Sequence, residues 1–197
     1  ADVGGGGVAE EGGGGGGGCS GGRNSGMVLF GNRPRLKDEF NRLFKAIFTN
    51  AEDCKKIIRH LASRNYGFTR EEIANATGLP LGGGLSDTLT ALAESDFILR
   101  YSPYGKGTGE YYKLIDNFCL FWLKHVEPNQ DHASYFNDNF TSDIMKAWKG
   151  VAFEQVCWQH ITQIKRALEI GGVKSSVSAW NIAGTETKTG AQVDLLI

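Results

Sequence analysis

The chain has 197 residues, room for one or two domains, and a formal net charge of −1. That balance gives no strong field to draw in nucleic acid or a membrane surface, and no apolar run approaches the length that spans a bilayer. The four cysteines lie far apart with no Cys-x-x-Cys pair to suggest zinc; Cys54, Cys119 and Cys157 fall in helical patterns and read as reduced, buried thiols of a cytoplasmic protein.

Residues 1–26, "ADVGGGGVAEEGGGGGGGCSGGRNSG", hold 14 of the 28 glycines and almost nothing apolar. They cannot offset the entropy of ordering and read as a disordered tail. No Gly-Lys-Ser/Thr follows the glycines and no hydrophobic strand precedes them, so they are not a phosphate loop. Residues 27–50 form a helical lead-in. "LKDEFNRLFKAIF" places Leu36, Phe40, Leu43, Phe44 and Ile47 at helical spacing, which predicts a helix over about 35–48. A second helix follows, with Cys54, Ile57, Ile58 and Leu61 on one face, Asn50 as its cap, and Glu52 and Asp53 in the first turn.

Thr69 and Glu72 make a capping box that opens a third helix, and Gly78 stops it. After "LPLGGG" a fourth runs from Ser86, with Leu89, Leu92 and Ala93 inward. The period then changes. "FILRYSPY" and "EYYKLID" alternate as strands joined by "GKGTG". Short helices followed by a hairpin predict a winged helix over 51–116, with 69–77 and 86–96 as its helix-turn-helix pair. As a DNA reader it is weakly equipped. The second motif helix carries Asp87, Glu94 and Asp96 and no Lys or Arg, which repels a phosphate backbone. The wing offers Arg100 and Lys106 beside Tyr101 and Tyr104. The expected partner of this module is DNA or, with more support, a protein. The glycines of "LGGGLS" open a helix and could cradle an anion, but with no cation near they read as loop chemistry.

Residues 117–149 read as a helical connector. Phe118, Phe121, Trp122 and His125 cluster as a packing stripe, and His125 and His132 lack metal-ligand spacing. "SDIMKAWKGVAFEQVCWQHITQIKRALEIGG" reads as two helices broken near Gly150, the second with Phe153, Val156, Cys157, Ile161, Ile164 and Leu168 as its apolar face. "VSAWNI" and "AQVDLLI" are predicted strands around "AGTETKTG".

Asp194 stands alone in the apolar run "VDLLI", and burying an unpaired carboxylate is expensive. Metal-assisted phosphodiester cleavage needs oxygen ligands converging from separate elements, with a cation for the developing charge. Glu154 near the start of a helix, then a strand, then Asp194 in a second strand match part of one such layout. They are the candidate catalytic and Mg²⁺-ligating residues of an incomplete site. The structural alternatives are that Glu154 favours a helix N-terminus, and that Asp194 caps a backbone or pairs with Lys165 or Lys188.

"GFTREEIANATGLPLGGGLSDTLTALAESDFI", "YYKLIDNFCLFW", "KAWKGVAFEQVCWQHITQIKRALEIGGV" and "GAQVDLLI" resemble the C-terminal part of a bacterial and archaeal family of AAA-type ATPases, from about Leu29 to Ile197. That region of the family is catalogued as domain of unknown function 234. The resemblance implies a P-loop ATPase module, then a winged helix, then a domain similar to PD-(D/E)xK nucleases, with "AFE" and "QVDLLI" supplying the acids at Glu154 and Asp194. It also implies a following strand with Glu-x-Lys, which these residues do not include; nor do they include Walker segments for ATP. The expected fold is therefore α+β: a winged helix followed by a truncated restriction-endonuclease-like α/β domain at 150–197. The expected function is that of a fragment of an AAA-family ATP-binding protein, inactive alone, with no cofactor held by these residues and Mg²⁺ only in an intact nuclease-like domain. The alternatives are a protein-interaction scaffold coupling an ATPase to a partner, and a DNA-binding winged-helix regulator. The edge of "AQVDLLI" is expected to invite self-association.

Overall fold

The computed structural model describes residues 38–105, 109–187 and 189–197. The expected tail at 1–26, the start of the first helix, Lys106 and Lys188 lie outside them. The chain mixes helices with two small antiparallel sheets.

Helix α1 (Glu39–Ile47) buries Phe40 and Phe44, four residues apart on one face with ring centroids 4.9 Å apart. Helix α2 (Ala51–Leu61) buries Cys54, Ile57, Ile58 and Leu61 as the spacing requires. Its flanking Asn50 does not cap it. The Asn50 amide donates to the Thr88 hydroxyl at 2.6 Å instead, tying this corner to a later helix. Strand β1 (Phe68–Thr69) leads into α3 (Arg70–Thr77). The Thr69–Glu72 capping box forms in both directions, and Gly78 closes α3 in the left-handed conformation. Helix α4 (Gly83–Glu94) starts within the glycine run and turns Leu85, Leu89 and Leu92 inward. Strands β2 (Ile98–Tyr101) and β3 (Tyr111–Leu114) complete a sheet in the order β1-β3-β2, so β3 is central.

One face of this sheet and the four helices enclose the main core, where Phe97 meets Phe44 and Phe48 at ring-centroid distances of 5.1 and 5.5 Å. Each fully buried Phe or Leu there contributes about 1.5–3 kcal/mol. The chain then runs through α5 (Asn117–Phe121), a π-helical turn (Trp122–Val126) and a 3-10 turn (Glu127–Asn129), which the Arg59 guanidinium holds through a two-pronged contact to Glu127. A short α6 (Tyr135–Asn139) follows.

Helix α7 (Asp143–Gln159) is continuous through Gly150. The expected break falls ten residues later, at His160, before α8 (Ile161–Ala167). The expected apolar face is also displaced. Phe153 is 70% exposed and Val156 and Leu168 are exposed, while Met145, Gln155 and Trp158 are the residues that α7 buries. What α7 covers is the back of the first sheet, where a second, smaller core gathers Tyr66, Tyr101, Trp158 and Ala179, with Leu99, Tyr111 and Leu195 against it. The last layer is the hairpin of β4 (Ser178–Ile182) and β5 (Ala191–Leu196). It meets the turn after β2, where the Tyr104 N–H donates to the Ala179 carbonyl at 2.8 Å.

Candidate functional site

Alternation along β3 decides the centre of this site. Tyr112 and Leu114 point into the main core, so Tyr111 and Lys113 must point out of the back of the sheet. On an uncovered sheet that lysine would be solvated. Here α7 lies over it, and Lys113 is 2% exposed. Its ammonium meets the Glu154 carboxylate, whose side chain is 14% exposed, and lies 5.5 Å from the centroid of the Trp158 ring. Glu154 and Trp158 are four residues apart, on one face of α7.

Glutamine side chains fix the height of α7 over the sheet. Gln155 donates to the Leu114 carbonyl at 3.1 Å, and Gln159 to that of Ile115 at 3.3 Å. Both satisfy backbone acceptors, one at the last rung of the ladder and one just beyond it.

Asp194 enters from the other side. Between the pairs Ser178–Leu196 and Trp180–Val193, two residues of β5 oppose one of β4, so Asp194 and Leu195 form a β-bulge against Ala179. The bulge frees the Asp194 carbonyl to accept the Trp158 indole N–H at 3.0 Å. It also leaves the carboxylate exposed rather than embedded, and its Oδ1 accepts from the Gln192 amide of the same strand. The expectation of a buried Asp194 is therefore overturned. Among the described residues no lysine makes an ion pair with it; Lys165 is not a partner and Lys188 lies outside them. Glu154 is not at a helix start either. It stands eleven residues beyond Asp143 in α7, so the positive end of the helix does not explain it.

Both residues border Trp158, Glu154 from one turn earlier on α7 and Asp194 through its backbone carbonyl. Burial pushes the Glu154 carboxyl above its usual range, the Lys113 hydrogen bond and charge oppose that shift, and the Asp194 charge adds to it. The Mg²⁺ implied by the resemblance does not fit these residues. One Glu154 oxygen already faces a buried ammonium, and an oxygen-seeking divalent ion would have to share that carboxylate with a second cation. Among the described residues no group of three or more His, Cys, Asp or Glu could hold a metal ion.

The nucleic-acid surface is no richer. Asp87, Glu94 and Asp96 are exposed on and just after α4, and Arg100 faces Glu110 at 3.7 Å. Tyr104 is 64% exposed, but Tyr101 is buried, its hydroxyl donating to the Tyr66 carbonyl. A cation does stand beside the glycine run that opens α4. The Arg70 guanidinium donates to the Gly82 carbonyl at 3.0 Å, a contact that orders the loop.

Sequence reasoning missed Lys113, the residue on which the site turns. Its signal was the period-two reading of "EYYKLID", which sets Lys113 between Tyr111 and Ile115 on one face. Fold and site together define a mixed α/β protein in which a helical module with a small sheet carries a helix-and-hairpin layer on its back. Comparison with known proteins adds no relative: no family model, curated protein or solved structure matches the chain. No helix among the described residues is long and apolar enough to cross a membrane.

Proposed function

We propose that this chain is the C-terminal part of an AAA-family ATP-binding protein, a winged helix joined to a PD-(D/E)xK nuclease-like layer, which performs no cleavage with these residues alone. In this reading α2, α3, α4 and the β1-β3-β2 sheet are the winged helix. Helix α7 with β4 and β5 is the nuclease-like layer, and the protein works in the cytoplasm. The observation that carries it is that a helix acid and a strand acid both border Trp158, Glu154 one turn before it on α7 and Asp194 through the backbone carbonyl that accepts its indole N–H, in the chain order such sites use. The pairing of Glu154 with Lys113 is what argues against catalysis here, because the acid is already neutralised. The deciding experiment reads the coding sequence downstream of Ile197. A strand bearing Glu-x-Lys is expected there, and a continuation without those residues, or none, overturns the nuclease-like half of the proposal.

A second reading, a protein-interaction scaffold coupling an ATPase to a partner, is favoured by one observation. Ile144 and Phe153 of α7 are 60% and 70% exposed, apolar side chains that nothing in the described chain covers. Pull-down with the complete parent protein tests it, and recovery of no partner counts against it.

A further inference from the structure

We infer that Lys113 is the built-in counter-ion of Glu154: its ammonium stands on that carboxylate where a divalent cation would have to sit, and so clamps α7 to the back of the sheet without metal. The inference takes the acid pair from the reading above and goes beyond it by assigning the position of the cation to a residue of the other module.

Three features make the lysine hard to displace. Its strand is the middle one of three, with Lys113 paired to Leu99 of β2 and the two preceding residues, Tyr111 and Tyr112, paired to β1, which holds its backbone in place. Its side chain is 2% exposed, so an ammonium that left Glu154 would have no water to turn to. The Trp158 ring beside it offers its negative face at 5.5 Å, a second attraction for a cation at that spot. The partner is fixed as firmly. Along α7, Glu154 lies between Ala152, whose carbonyl accepts from the Asn117 amide at 3.4 Å, and the anchored residues Gln155 and Trp158.

A metal ion arriving at Glu154 would therefore meet a positive charge that cannot step aside while α7 and the sheet stay in contact. Uncovering Glu154 requires the two layers to part. The same lysine thus ties the state of Glu154 to the position of the helical module, with no residue outside this chain involved.

Manganous ion is the probe, with the full chain, read by the electron paramagnetic resonance of free Mn²⁺ and by thermal melts. The wild-type protein is expected to show no saturable site and no Mn²⁺-dependent rise in Tm. Lys113→Met and Lys113→Gln are expected to show a saturable Mn²⁺ site at least about tenfold tighter than any residual wild-type binding, the scale on which groups touching a metal ligand act. Adding Asp194→Asn should abolish that gain. Lys113→Arg keeps the charge and should behave as wild type. Should Lys113→Met fail to fold, Lys113→Gln, whose amide can still donate to Glu154, carries the comparison. A wild-type Mn²⁺ site lost in Asp194→Asn overturns the inference, as does a folded Lys113→Gln with no tighter binding. Neither result depends on what the downstream coding sequence contains, so this inference and the nuclease-like reading fail separately.

Discussion

Lys113 and Glu154 contribute unequally to stability and to specificity. A buried ion pair gains little net energy over a well-packed apolar pair, but removing one partner strands the other charge. Lys113→Met should therefore cost about 3–5 kcal/mol in urea unfolding, and the double change Lys113→Met/Glu154→Leu should recover most of that loss. Equal losses in the single and double variants would mean that packing, not charge, holds α7 down. His125 is a second buried titratable residue, 4% exposed, with Nδ1 3.0 Å from the Tyr135 hydroxyl and a ring beside Phe121. Burial holds its imidazole below the ordinary value of 6.5, and Lys124 adds to that. The unfolded chain thus takes up the proton more readily than the folded one. Stability is complete above about pH 6.5 and falls as the pH drops below it, toward the folded value. Burial and Arg64 depress His60 in the same direction, against an opposing Glu72, so His125→Phe should remove part of the decline in the urea midpoint on acidification and not all of it. An unchanged decline would clear His125 of the effect. Single residues were unevenly legible in the sequence. Asp194 stood out because a carboxylate in an apolar run needs a reason, and Glu154 because its place ahead of that strand matches the order of a two-acid site. Lys113 did not, because its burial depends on a helix some forty residues later lying across its strand.

At the scale of elements, helices with strong apolar period and local stop signals were readable, and boundaries set by distant packing were not. The Thr69–Glu72 box and the Gly78 terminus are local chemistry and appear where the residues put them. Strand β1 is two residues long and is held only by pairing with β3, so nothing within "FT" announces it. Gly150 looked like a break because glycine weakens a helix interior by about 1 kcal/mol relative to alanine. That penalty is outweighed by anchors on either side: Met145 is buried before it, and Gln155 and Trp158 are buried and hydrogen-bonded after it. Gly150→Ala should then stabilise the protein by about 0.5–1 kcal/mol, since a methyl group there meets nothing within 4 Å. Gly67 has the opposite prospect. Its φ is +92° and a Cβ would come within 2.5 Å of the Tyr112 carbonyl oxygen, so Gly67→Ala should cost at least about 1–3 kcal/mol by forcing β1 away from β3. Thermal melts of the two variants, expected to move in opposite directions, check both statements; a stable Gly67→Ala would show that the β1–β3 pairing can yield.

At the scale of the whole molecule, the two cores differ in strength. The main core is enclosed by four helices and a sheet face, whereas the second rests on Tyr66, Tyr101, Trp158 and Ala179 and is covered by one helix, α7, and a two-stranded hairpin. A layer so thin leaves apolar surface in water, with Phe153, Ile144, Leu168 and Ile182 all more than half exposed. Two routes to self-association follow from that surface, and they are not equally open. The edge of β5 is interrupted by the bulge at Asp194 and Leu195 and carries an exposed carboxylate there, both of which discourage strand pairing between copies. On α7 the exposed Phe153 stands beside exposed Val156 in unbroken helix, and the nearest exposed charge, Lys149, lies a turn back with its ammonium over the Phe140 ring. Association should therefore run through α7. In sedimentation velocity the wild-type chain is expected to shift to faster species as its concentration rises, and Phe153→Glu to suppress that shift while leaving the thermal midpoint nearly unchanged, since surface substitutions usually move stability by no more than about 0.5 kcal/mol. A Phe153→Glu protein that associates as the wild type does would move the contact back to the strand edge, where Asp194→Val, which removes the charge at the bulge, would then be expected to strengthen it.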